Sequence, residues 1–149
     1  MLDERDFEAW LAMLSPDVIY RVQVRATTTR GGIGERTPLV GHYDEDLYSL
    51  RKRVARLGTS FAWAEDPPSR TRHVVSNICT FTTAQEDVLR VRSYQLVFRS
   101  RGDLYEPDLL CGERTDLLCG ANGQELRLSR REVVLDESVL RTQNLAIFL

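Results

Sequence analysis

Hydrophobic positions along this chain change their period repeatedly, and each change marks an element. Phe7, Trp10, Leu11 and Leu14 recur at helical spacing behind an acidic start. They predict a first helix capped by Asp3 and stopped at Ser15 and Pro16. Val18, Tyr20, Val22 and Val24 then alternate with Arg21, Gln23 and Arg25, the pattern of a half-buried strand. From Thr27 to Gly41 the composition is turn-like; Gly31, Gly32 and Gly34 lack the spacing and following helix of a dinucleotide site. Tyr43, Leu47, Leu50, Val54 and Leu57 form a second helical stripe. Asp44, Glu45 and Asp46 at its start and Arg51, Lys52, Arg53 and Arg56 toward its end suit the helix dipole. Gly58 stands where a left-handed stop belongs.

Four strand-like segments follow, spanning Thr71–Thr82, Val88–Arg99, Leu109–Leu118 and Leu126–Leu135. Their connections are short, including Ala84 to Asp87, Arg101-Gly102-Asp103 and Gly120 to Gly123. Connections of that length demand antiparallel neighbours. Arg101-Gly102-Asp103 spells an integrin-recognition tripeptide, but glycine and aspartate are also what a hairpin turn requires. Helices first and long strands afterwards predict an α+β cone, a curved antiparallel sheet packed on N-terminal helices. At 149 residues a single domain spanning residues 1–149 is expected. No internal repeat or low-complexity stretch interrupts it.

Composition narrows the function classes. With 42% hydrophobic and 28% charged residues the chain is ordinary for a soluble globular protein. Its net charge of −2 gives no general drive toward nucleic acid. No apolar run approaches the ~20 residues of a membrane span. The acidic, amphipathic start is unlike a secretory signal, so a cytoplasmic location is expected. Cys79, Cys111 and Cys119 are odd in number. Cys111 and Cys119 on one strand would lie roughly 27 Å apart, too far to bridge, which reads as reduced thiols.

The segment from Trp63 to His73 is too particular for a filler loop. Pro67 and Pro68 fix two consecutive φ angles, and Glu65, Asp66, Arg70, Arg72, His73 and the Trp63 indole crowd around them. A stiff loop carrying an aromatic and paired charges loses little entropy on docking a partner. The plainer reading is a connector that ends one element and starts the next. Arg90, Arg92 and Tyr94 share a strand face with Leu96 and Phe98, and Arg127, Ser129 and Arg131 share one on the last strand. Such rows are either a solvated outer face or a polar interface. Lys52 is the lone lysine, and arginine favours ion-paired interfaces, although genomic base composition gives the same bias.

Catalytic chemistry is thin. His42 and His73 are the only histidines. They cannot supply both a Rieske cluster, with two Cys and two His ligands, and a mononuclear iron held by two His and a carboxylate. Cys-x-x-Cys, Walker and His-Glu-x-x-His patterns are absent.

The loop resembles the corresponding segment of the small (β) subunits of bacterial aromatic-ring-hydroxylating dioxygenases. The likeness extends to Leu2–Leu11, similar to that family's first helix, to Arg53–Leu57 before the loop, and to the tail from Arg130 to Leu149. Family members usually carry a further stretch before the first helix, whereas this sequence begins close to Leu2. The resemblance implies a nuclear-transport-factor-2-like cone and a non-catalytic scaffold role. It implies a large α subunit carrying the Rieske [2Fe–2S] cluster and a mononuclear non-heme iron, with no cofactor in this chain. It further implies an assembly of three subunits of each kind, built around self-associated small subunits, that cis-dihydroxylates an aromatic ring with dioxygen and NADH-derived electrons. On this basis Trp63, Asp66, Arg70, Arg72 and His73 are candidates for α contact. Arg90, Arg92 and Tyr94 on the sheet face, with Asn144 and Phe148 in the tail, are candidates for contacts between small subunits. The alternatives are a stand-alone isomerase or dehydratase using Asp17, Tyr20, Tyr48 and His73, and a small-molecule-binding module without chemistry.

Overall fold

The computed structural model describes residues 1–24, 41–59, 62–120, 123, 125–137, 139–140, 142 and 144–149. The turn-like segment therefore lies outside the described residues except for Gly41. Helix α1 covers Phe7–Ala12, and its N-cap is Asp6, whose carboxylate accepts from the Ala9 N–H. Asp3 is thus not the cap, and three residues in sequence separate it from that role because it bonds to a distant strand. Strand β1, Leu14–Val24, begins almost at once, so Leu14 belongs to the sheet and Pro16 lies within the strand. Strand β2, Tyr43–Glu45, was expected to be the first turn of the second helix. Helix α2 starts only at Leu47 and runs to Leu57, with Asp46 capping the Ser49 N–H. Gly58 closes it at φ −86, outside the left-handed region.

Strands β3 (Arg70–Thr82), β4 (Val88–Ser100), β5 (Asp108–Cys119) and β6 (Arg127–Leu135) lie within one residue of the expected bounds. Alternation at period two located β4, one face of which packs inward, and short turns bracketed the others. They pair antiparallel in sequence, and Cys111 and Cys119 sit on the same strand. The sheet order is β2-β1-β6-β5-β4-β3. The pairing of β1 with β6 is parallel, which short connections alone do not reveal. The β5–β6 register shifts between Leu117 and Leu118. One extra residue there reverses facing along β6. Arg131 consequently points inward, while Arg130 pairs with Leu117 on the outer side. This corrects the expectation that Arg127, Ser129 and Arg131 share one face. On the outermost strand β3 the pairing also slips, between Ser76 and Cys79, with Asn77 at φ +50.

The core gathers between the sheet and the two helices, and the tail completes it. Leu145, Ile147, Phe148 and Leu149 are buried beside Trp10, Leu50, Val54 and Val133. Phe148 stacks at 4.4 Å from Trp10 and meets Phe7 edge-on at 5.7 Å. The Tyr20 hydroxyl donates to the Leu149 carbonyl at 2.9 Å and accepts from the Leu149 N–H at 2.7 Å. Arg53 lies over both Phe148 and Tyr43 and donates to the carbonyls of Leu145 and Ile147. Tail backbone that enters no sheet ladder is thereby satisfied by side chains.

Gly112 marks the tightest approach in the sheet. A methyl group there would meet the Val134 carbonyl oxygen at 2.6 Å. Gly112→Ala should therefore destabilise the fold by about 1–3 kcal/mol, read as a lowered midpoint in urea unfolding.

Candidate functional site

The loop from Trp63 to Ser69 and the turn after β4 leave the sheet at the same end, because Arg70 pairs with Ser100 and Arg99 with Asp108. Trp63–Glu65 forms a short 3-10 turn, and the Asp66–Pro67 peptide is cis. The Arg101-Gly102-Asp103 turn closes with Leu104 N–H donating to the Arg101 carbonyl. Gly102 adopts φ +48, and a methyl group added to it would sit 3.7 Å from Pro67. The two loops are therefore neighbours, and they form one platform.

Beneath that platform Arg99, 1% exposed, uses every N–H of its guanidinium. Nε donates to Ser69 Oγ at 2.9 Å. Nη1 donates to Thr142 Oγ1 and the Asn144 carbonyl, each at 3.0 Å. Nη2 donates to Glu65 Oε1 at 2.5 Å and Asn144 Oδ1 at 3.0 Å. Glu65 in turn accepts from the backbone and hydroxyl of Ser69. One buried cation so fixes the proline loop, β4 and the tail together. The loop is stiff because of this network as well as its prolines.

Above it the side chains face outward. Trp63 is 76% exposed and Tyr105 97% exposed, and Asp66, Arg70 and Leu104 are also exposed. Leu104 and Tyr105 were missed in the sequence; two large apolar side chains in a turn sequence, where nothing local buries them, were the available signal. Exposed apolar residues continue over the outer sheet face. Register places Val74, Leu96 and Cys111 in one row, and Arg72, Phe98 and Leu109 in the next. Tyr94 lies one position along that face, beyond which Arg90 and Arg92 stack over Phe81 at 4.8 and 5.7 Å. Val74 is 58% exposed and Phe98 40%. A contiguous apolar patch on a sheet face, rimmed by arginines, has the make-up of a contact surface.

Three candidates turn inward instead. Phe148 is 2% exposed at the centre of the aromatic core, and its ring presents nothing to a partner. Asn144 serves Arg99 and caps the Ala146 N–H. His73 faces the interior, where Nδ1 meets Asp3 Oδ1 at 2.5 Å and Nε2 meets the Phe148 carbonyl at 2.9 Å. Burial raises the pKa of Asp3, but bonds from the His73 N–H, the His73 ring and Thr71 outweigh it and hold the carboxyl below its ordinary range. The residues of the stand-alone enzyme reading do not converge. Burial raises the pKa of Tyr20, and its hydroxyl is engaged with Leu149. Asp17 and Tyr48 are exposed, Asp17 accepting from the Ser15 hydroxyl. Among the described residues no group of three or more His, Cys, Asp or Glu is placed to hold a metal ion. With His73 engaged at both nitrogens, the donor set does not fit a Rieske or two-histidine iron site.

Residues 1–142 match the family described as "Ring hydroxylating beta subunit". The chain belongs to the ring hydroxylating beta subunit family. Its fold superposes on naphthalene 1,2-dioxygenase solved with indole bound, at TM-score 0.85 and 25% identity over 99% of this chain and 78% of that one. The beta subunit of benzoate 1,2-dioxygenase from Burkholderia mallei gives 0.69 at 20% identity, covering 99% and 87%. A protein of unknown function with a cystatin-like fold from Nostoc punctiforme gives 0.56 at 22% identity, covering 93% and 82%. The last two likenesses concern the fold, an α+β cone shared beyond dioxygenases. In this beta subunit the proline loop is tied to β4 and the tail through Arg99.

Arg99→Ala strands the Glu65 carboxylate. It should cost about 3–5 kcal/mol in urea unfolding and expose the 63–69 loop to limited proteolysis. Asp3, with its lowered pKa, stabilises the fold fully above the ordinary aspartate value of ~3.9, and that contribution vanishes as pH falls through its folded value. Unfolding curves of wild type and Asp3→Asn should therefore be well separated at neutral pH and converge on acidification below about pH 4.

Proposed function

We propose that this chain is the small, structural subunit of a multicomponent aromatic-ring-hydroxylating dioxygenase acting in aromatic catabolism. Family membership supports the role in a ring-hydroxylating oxidoreductase and implies a large α partner. The observation that carries the scaffold reading is the division of labour inside the chain. The buried polar groups Arg99, Glu65 and His73 hold the fold, while the platform end and the outer sheet face carry a group of exposed apolar side chains. In this reading the Rieske cluster and mononuclear iron belong to the large subunit, which alone carries out cis-dihydroxylation with dioxygen and NADH-derived electrons. Trp63, Asp66, Arg70, Leu104 and Tyr105 meet that subunit. Tyr94, Leu96, Phe98 and Val74, with Arg90 and Arg92 at the rim, meet other small subunits, in a cytoplasmic assembly of three subunits of each kind. No described helix is long and apolar enough to cross a membrane. The whole chain serves as one domain.

The test is a tagged pull-down from the native host, with native mass, iron and acid-labile sulfide measured on the product. A stoichiometric, larger iron–sulfur partner is expected. Recovery of the chain alone and metal-free, with the partner intact and expressed, would overturn the reading. The double variant Arg70→Ala with Arg72→Ala should shift the complex toward lower mass on a sizing column. An unchanged mass would remove that end of the sheet from the interface.

A further inference from the structure

A second feature lies on the inner side of the sheet, with Arg72 at its border with the outer row. Between α1, the Asp3 segment and the inner sheet face is a cavity of about 700 Å³, within the range of small-molecule sites. Trp10, Met13, Leu14, Leu118 and Leu128 make its apolar wall; Arg114 and Arg131 stand on one side of it, and Asp3 and Glu4 line it as well. Arg114 differs from the other inward arginines. The Asp116 carboxylate is gripped by the Arg131 fork at 2.9 and 2.8 Å. Arg114 reaches the same carboxylate only through Nε at 3.3 Å, and that buried Nε makes no hydrogen bond. Asp116 thus holds Arg131 by two hydrogen bonds and Arg114 by an ion pair alone, so one carboxylate faces two guanidiniums. Burial and then the Arg131 charge lower the pKa of Arg114, and the Asp116 carboxylate opposes that shift. Next along the same face Gln95, 2% exposed, has neither amide atom hydrogen-bonded. Ser93, also buried, pairs with Arg114 in register. Leaving the Arg114 Nε–H and the Gln95 amide unpaired is costly, although Gln95 stands one row beyond the cavity lining.

We propose that this cavity binds a small apolar carboxylate, its anionic end received by Arg114 and its body by the Trp10, Leu14, Leu118 and Leu128 wall. Arginine receives a carboxylate with two parallel hydrogen bonds, and the surrounding apolar wall strengthens them by excluding water. A free acid or ester lacks the charge that would give the second guanidinium a carboxylate of its own, so the site selects the ionised form. The wall accommodates more than a single ring, since cavities near 150 Å³ already hold benzene. The binding role goes beyond scaffolding and does not rest on it.

The probe is 2-naphthoate, titrated calorimetrically into the intact chain, with neutral 2-naphthylmethanol as its uncharged counterpart. Saturable one-to-one binding is expected, with at least tenfold weaker binding of the alcohol. Arg114→Gln should lower affinity for the carboxylate at least tenfold, whereas Arg130→Gln on the outer face should leave it unchanged. In the wild-type chain the Arg114 Nε–H resonance should shift on titration, a readout that stands even where Arg114→Gln folds poorly. No saturation by about 10 mM probe, equal binding of the alcohol, or an unmoved Arg114 resonance despite binding would each overturn the proposal.

Discussion

The buried guanidinium of Arg99 is the constraint on which the architecture of one whole end depends. A charge removed from water is tolerable only when its donors are matched, and here two chain segments distant from β4, the proline loop and the tail, supply the acceptors. The match cannot be relaxed piecemeal, since loss of any acceptor leaves an unsatisfied group in a dry interior. Order in the proline loop, the end of β4 and the tail is therefore one property, not three. Any partner that docks on Trp63 and Tyr105 meets a surface already organised from below, and the ordering entropy has been met during folding.

A second latch works at the middle of the chain's inner side. Asp3, His73 and the Phe148 carbonyl tie the segment before α1, strand β3 and the tail to one another. Together with Tyr20 and Arg53 they turn the tail into an interior element with no regular secondary structure of its own. This explains why a chain with so many polar residues facing inward still has a continuous core. The polar groups hold backbone that no ladder pairs, and the aromatic rings of Phe7, Trp10 and Phe148 fill the space between.

Much of this was legible in the sequence, for reasons specific to each element. Strand β4 announced itself through alternation, because its burial alternates from Arg92 to Arg99, whereas the others were bracketed by their short turns. The Trp63–His73 segment stood out by composition, and the structure gives it the anchored end that its prolines suggested. The failures share a cause: each depends on residues far away in sequence. A bulge opposite β5 turned Arg131 inward. Pairing with β1 made Tyr43–Glu45 a strand instead of a helix start. A contact with His73 drew Asp3 away from capping. Phe148 reads as an exposed tail residue until the tail is seen to fold back over Trp10. That Arg114 and Arg131 share the Asp116 carboxylate is not written in any motif, since it depends on the bulge that turns Arg131 inward.

The slipped pairing at Ser76–Cys79 has a meaning for how copies of this chain can meet. A sheet can grow in two ways, through its faces or through its margins, and growth through margins has no natural end. One margin here, β2, is only three residues long. The other, β3, is broken by the slip at Asn77, which spoils the regular row of unpaired backbone groups that a further strand would need. Both margins are thus poor templates, while the outer face is sticky. Growth of the sheet by strand pairing is therefore disfavoured at either margin, and a contact made by this chain falls more readily on its outer face.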